Sequence, residues 1–163
     1  MFEPTLIEGR QLAEAQGLPA RQGRSRRRIG ILSYSSPGHY YPLTALGRRL
    51  QSRGHEVVYL QVADLERPIR AAGLEFRQIG REDYPLGALR ARDEEVCKLA
   101  GLAALRCALR GIRQRSMMLF RDAPAAIRDA GVDSLIVDQI EMAGGTVAEH
   151  LGLRETGTFR VHF

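Results

Sequence analysis

The sequence has only two cysteines, Cys97 and Cys107, and both fall in one helical segment among apolar neighbours. A disulfide framework or a zinc site needs other spacings and more ligands, so both are read as buried free thiols. Of the four histidines, no pair shows metal-ligand spacing, and no metal site is expected. Neither a G-x-G-x-x-G stretch nor a P-loop occurs, which leaves autonomous dinucleotide or nucleoside-triphosphate binding without a motif; no cofactor is expected. No apolar run is long enough to span a bilayer. The amino terminus is polar and lacks an apolar h-region, so it does not read as a secretory signal, and the cytoplasm is the expected compartment. Internal repeats and low-complexity blocks are also missing.

What is present describes one α/β domain. A length of 163 residues suits a single full core, and 44% hydrophobic with 26% charged residues reads as soluble and globular. The net charge of +5 is uneven. Residues 1–28 contribute +3 of it, through Arg10, Arg21, Arg24, Arg26, Arg27 and Arg28 against Glu3, Glu8 and Glu14. Residues 1–28 therefore read as a basic, flexible leader, and 29–163 as the folded domain. With only +2 on the rest, specific nucleic-acid binding is not expected, and weak contact with an anionic membrane is the most the leader suggests.

From residue 29 the pattern alternates. IGILSYS is a short buried strand. YPLTALGRRLQSR spaces Leu43, Leu46 and Leu50 on one helical face, and Gly54 stands where a helix cap belongs. EVVYLQV is a second strand, DLERPIRAAG a short helix despite Pro68, and LEFRQIG a third strand. A turn-rich REDYPLG follows. Residues 86–130 read as helical, with Leu99, Leu102, Leu105 and Leu109 in a stripe, and with an interruption expected at Pro124. SLIVD is a fourth strand, EMAGGTVAEHLG a helix, and TGTFRVHF a final strand. This order predicts a Rossmann-like parallel sheet with helices on both faces.

In such sheets ligands collect at the carboxyl ends of the strands. His39 follows the first strand, in the short gap before its helix, and Asp138 is the last residue of the fourth. A histidine beside a carboxylate is a general base with its tautomer fixed, able to take a proton from an attacking hydroxyl. Gly38 leaves room for a substrate near the backbone. The plainer readings are a solvated loop histidine and, for Asp138, a helix cap or strand-end hydrogen bond.

These segments carry a resemblance. Gly38-His39, Pro42 and then Arg53-Gly54-His55-Glu56-Val57 resemble the first β-α-β unit of nucleotide-sugar-dependent glycosyltransferases of the GT-B fold, the group that includes the macrolide, plant natural-product and carotenoid enzymes. GVDSLIVDQIEMAGGTVAEHLGL is similar to their later strand ending in aspartate and the helix after it. The resemblance covers about residues 29–153. It implies the amino-terminal, acceptor-binding half of a GT-B fold, with His39 as the base that deprotonates the acceptor, Asp138 as its partner, and Tyr40, Tyr84 and Gln139 as acceptor contacts. It implies an inverting displacement on a nucleoside-diphosphate sugar held mainly by a second domain. His55 is read as structural. Two features depart from the family pattern: Tyr41 stands where many members have asparagine, and RETGTFRVHF follows Leu153 where members continue with proline and an apolar strand.

The donor-binding domain is therefore expected to be absent and this chain to be inactive alone. The partners implied are a hydroxyl-bearing, apolar acceptor and, with a donor-binding domain, a nucleoside-diphosphate sugar. One alternative is the acceptor subunit of a two-chain glycosyltransferase, in which case an exposed apolar patch should mark the contact with a donor-domain partner chain. The others are a non-catalytic Rossmann-like module binding a small molecule or protein, and a nucleic-acid or membrane binder acting through the basic tail.

Overall fold

The computed structural model describes residues 26–96 and 98–159, the segment 154–159 as backbone. Five strands form one sheet in the order β3-β2-β1-β4-β5. They are β1 (Arg28–Leu32), β2 (Glu56–Gln61), β3 (Glu75–Gln78), β4 (Ser134–Asp138) and β5 (Arg154–Phe159), and every pairing is parallel. The helices are α1 (Pro37–Gln51), α2 (Glu66–Ala71), α3 (Ala88–Val96), α4 (Gly101–Asp129) and α5 (Met142–His150).

Strand alternation divides the buried side chains into two cores. Ile29, Ile31, Val57, Tyr59 and Ile136 face one way and pack with Tyr40 and Leu43 of α1 and Ile69 of α2. Leu32, Val58, Leu60, Leu135 and Val137 face the other way, against Met118, Leu119, Ala123 and Ile127 of α4 and Val147 of α5. Such sheets are buried on both faces, which is why their strands read as almost unbroken apolar runs. Helices can approach closely where a side chain is missing. A Cβ at Gly144 of α5 would lie 2.4 Å from Val137 Cγ1, so only glycine lets that turn sit on β4.

Several sequence expectations need adjustment. α1 begins at Pro37, whose ring presets the first helical φ. His39 thus lies in the first turn of the helix rather than in a gap before it, its N–H bonded to the Ser36 carbonyl. Pro124 does not interrupt α4, which runs through it. One hydrogen bond is lost there, but Ala123 and Ile127 on either side are buried and hold the helix to the sheet. The stripe Leu102, Leu105 and Leu109 faces solvent. Cys107 is half-buried, not buried, and Cys97 lies outside the described residues.

At the amino-terminal edge, arginines read as the end of a leader are held against the sheet. Arg28 opens β1 and its guanidinium reaches Glu56 on β2 and Glu75 on β3. Arg26 pairs with Glu56 as well, and the Arg27 N–H donates to His55 Nδ1. Residues 1–25 and 160–163 lie outside the described residues.

Candidate active site

β1 is the centre of the sheet. From it the chain runs outward to β2 and β3, then returns to the other side of β1 as β4. Crossovers that leave β1 in opposite directions open a crevice at the carboxyl ends of β1 and β4, the usual place for ligands in open α/β sheets. His39 enters this crevice from the first turn of α1, and Asp138 from the end of β4.

The two side chains meet. His39 Nδ1 lies 2.7 Å from Asp138 Oδ2, although 99 residues separate them. Asp138 is 3% exposed, and its oxygens also accept the backbone N–H groups of Tyr34 and Ile140. A carboxylate in that role has no proton to give, so Nδ1 carries the hydrogen and Nε2 is left as the basic nitrogen. The Tyr34 ring stands edge-on to the imidazole at 5.6 Å between centroids.

A groove of about 290 Å³ is lined by Tyr34, Ile112, Arg115, Ile140, Glu141 and Met142 among others. It adjoins the dyad through Tyr34 and Ile140, while His39 and Asp138 themselves are not among its lining residues. It continues into a smaller hollow along Ser35, Ser36 and Pro37. The walls combine apolar groups with one buried ion pair, the usual make-up of a small-molecule site.

That pair is the part of the site the sequence reading did not contain. Arg115 is 5% exposed on α4; its Nε donates to Glu141 Oε2 at 2.5 Å. One terminal nitrogen donates to Ser35 Oγ and the other to the Ser33 carbonyl, with Gln61 Oε1 at 3.4 Å. The guanidinium lies 5.7 Å from the Tyr34 ring centre. Tyr59 donates its hydroxyl proton to Ser33 Oγ, which donates in turn to the Tyr34 carbonyl. The loop that carries Tyr34 is therefore tied down from beneath. Burial pushes the Glu141 carboxyl up, against the pull of Arg115. Arg115 sits on the inward stripe of α4, whose buried positions are Gly111, Arg115, Met118, Leu119, Ala123 and Ile127.

The remaining sequence candidates divide. Gly38 is exposed in the first turn of α1, and Gln139 is exposed in the turn after Asp138. None of Gly38, Gln139, Tyr40 and Tyr84 lines the groove or the adjoining hollow. Tyr40 is 7% exposed in the core between α1 and the sheet; burial, then Tyr41 beside it, pushes its hydroxyl up to about 12. Tyr84 is 3% exposed in the other core, its hydroxyl reached by Arg92. These two rings serve as packing, whereas Tyr34 lines the groove. Among the described residues, no group of His, Cys, Asp and Glu side chains is arranged to hold a metal.

A parallel sheet with this strand order and a crevice at its switch point defines a Rossmann-like α/β domain. Over much of its length the chain is similar in sequence to glucosyltransferases and in fold to GT-B glycosyltransferases. It is 35% identical over 115 residues to the zeaxanthin glucosyltransferase of Pantoea ananas, a match covering 71% of this chain and 26% of that enzyme. It is 32% identical over 93 residues to a sterol 3-beta-glucosyltransferase of Arabidopsis thaliana, covering 57% of this chain and 15% of the relative. Among solved structures, the calicheamicin glycosyltransferase superposes with a TM-score of 0.58 at 20% identity, over 81% of this chain and 30% of that one. The glycosyltransferase of kitacinnamycin gives 0.60 at 19%, over 81% and 30%. The chain thus spans about a quarter or less of the curated relatives it matches. No family profile matches it.

Proposed function

We propose that these residues form the acceptor-binding half of an inverting glycosyltransferase. The observation that carries the reading is the His39–Asp138 pair at the β1/β4 switch point, 2.7 Å apart beside a largely apolar groove. In this reading an acceptor alcohol lies in the groove with its hydroxyl at His39 Nε2. The imidazole takes the hydroxyl proton as the oxygen attacks the anomeric carbon of a nucleoside-diphosphate sugar. The carbon–oxygen bond to the diphosphate breaks, the electron pair leaves with the nucleotide, and the configuration inverts. Asp138 fixes the tautomer and stabilises the imidazolium. Gly38 and Gln139, exposed and adjacent in the chain to His39 and Asp138, border the acceptor only at its reacting hydroxyl.

The donor is held by a second domain outside the residues described. Alignment of donor and acceptor across the cleft then supplies the in-line geometry. The relatives are named for zeaxanthin and sterols, both apolar alcohols, and the groove's apolar walls fit an acceptor of that chemical class.

The test is a chimera in which residues 26–153 replace the matching segment of the zeaxanthin glucosyltransferase. It should transfer sugar to hydroxylated apolar acceptors. His39→Ala should lower kcat by roughly 100- to 10,000-fold, the usual contribution of a positioned base. Asp138→Asn should produce a comparable loss while acceptor affinity holds. Unchanged turnover in His39→Ala would overturn the reading.

A further inference from the structure

The first half of α4 is built inside out. Its inward side carries small residues, Ala104, Cys107 and Gly111, whereas Leu102, Leu105, Leu109 and Ile112 are 59%, 55%, 58% and 46% exposed. Spacings of three and four place these four on one stripe. Arg106, Arg110 and Arg113 are also exposed and fall along its flank. Between Glu95 and Asp122 the sequence contains no acidic residue at all, against six basic ones. Asp93, Glu94 and Glu95 are on α3, where Glu94 is already paired with Arg90, and Glu141, which shares the groove lining with Ile112, is buried and paired with Arg115.

A contiguous apolar stripe open to water marks a contact surface. Leucines with arginines alongside and no carboxylate between them fit one kind of surface well: a bilayer with anionic headgroups. The aliphatic side chains enter the headgroup–acyl boundary, and the guanidinium groups reach the phosphates on their long stems. Ile112 belongs both to this stripe and to the groove wall. We propose that the exposed face of α4 from Leu102 to Arg113 docks on anionic membrane, with the groove mouth at the lipid surface. The inference does not rest on sugar transfer, and its test involves no turnover.

The sequence has no tryptophan, so Leu105→Trp gives a single reporter. Phosphatidylcholine vesicles containing phosphatidylglycerol should shift its emission to the blue, and brominated lipid should quench it. Arg49→Trp, on α1 across the sheet, should show neither change. In co-sedimentation, the full chain should bind anionic vesicles far better than pure phosphatidylcholine. Replacing Arg106, Arg110 and Arg113 by Gln should weaken binding roughly fivefold per arginine, since each is worth about 1 kcal/mol near such a surface. Replacing Leu102, Leu105 and Leu109 by Ser should abolish it, with circular dichroism unchanged. Wild-type chain that fails to sediment would overturn the proposal. So would undiminished binding by the Ser variant, which would assign attachment to the arginine-rich amino-terminal segment. A Leu105→Trp shift that accompanies self-association or a donor-domain partner chain, and not vesicles, would overturn it too.

Discussion

At the scale of single residues, the most consequential group is one that touches no reacting atom in the proposed chemistry. Arg115 and Glu141 are buried together, and a buried ion pair is costly to break from one side because the surviving charge is stranded. Arg115→Met should therefore destabilise the chain by about 3–5 kcal/mol, read from the urea midpoint. Arg115→Met combined with Glu141→Leu should recover most of that loss, because the stranded carboxylate is gone. The double variant should still perturb the site, since Ser35 and the Ser33 carbonyl lose their donor and the Tyr34 loop loosens. A double variant no more stable than the single one would show that the charge is not the source of the loss. Of these residues, Asp138 was legible from sequence because it ends an apolar strand. Arg115 was not singled out, because its helix also contains exposed leucines, and composition alone does not say which stripe faces inward.

At the scale of elements, α4 is fixed by more than apolar packing. Asp122, one turn beyond Met118, accepts the Gly80 N–H at 2.9 Å and so pins the loop after β3 to the helix. Arg121 holds the Asp122 carboxyl below its ordinary value of 3.8, burial opposes this, and the Gly80 hydrogen bond adds to it. A depressed carboxylate contributes stability that is present above 3.8 and is lost as pH falls through the lower folded-state value. Asp122→Asn should leave a shallower decline in unfolding free energy over that acid window, measured by denaturant titration at stepped pH. An unchanged decline would mean that the carboxylate is no better stabilised folded than unfolded. The elements themselves were largely readable, since β1, β2 and β4 are short apolar runs and Gly54, with φ of 87°, ends the turn after α1 as expected. The start of α1 and the continuity of α4 are not legible for two reasons. The stretch before Tyr41 reads as a gap, whereas Pro37 starts the helix; and Pro124 reads as a breaker, whereas the packing around it carries it.

At the scale of the whole molecule, what sequence withholds is adjacency. Periodicity puts His39 and Asp138 at the same rim of a parallel sheet, but only the order β3-β2-β1-β4-β5 makes their strands neighbours. Likewise, Tyr40 and Tyr84 have the composition of ligand contacts, and only tertiary placement assigns them to the two cores. The same architecture bears on what this chain binds by itself. Its groove is walled, among the described residues, by the loop after β1, α3, α4 and the turn into α5. The proposed donor half is elsewhere. A ligand that binds only the folded state stabilises it by RT ln(1 + [L]/Kd), about 2.7 kcal/mol at a hundredfold excess over Kd. An apolar alcohol of the sterol or carotenoid class should therefore raise the melting temperature of the 163-residue chain, and a nucleoside-diphosphate sugar alone should not. His39→Ala should keep the alcohol's shift, because the imidazole is proposed to act on the proton rather than to supply affinity. A shift produced by the sugar nucleotide alone would place a donor site within these residues and undo the division of labour between two domains.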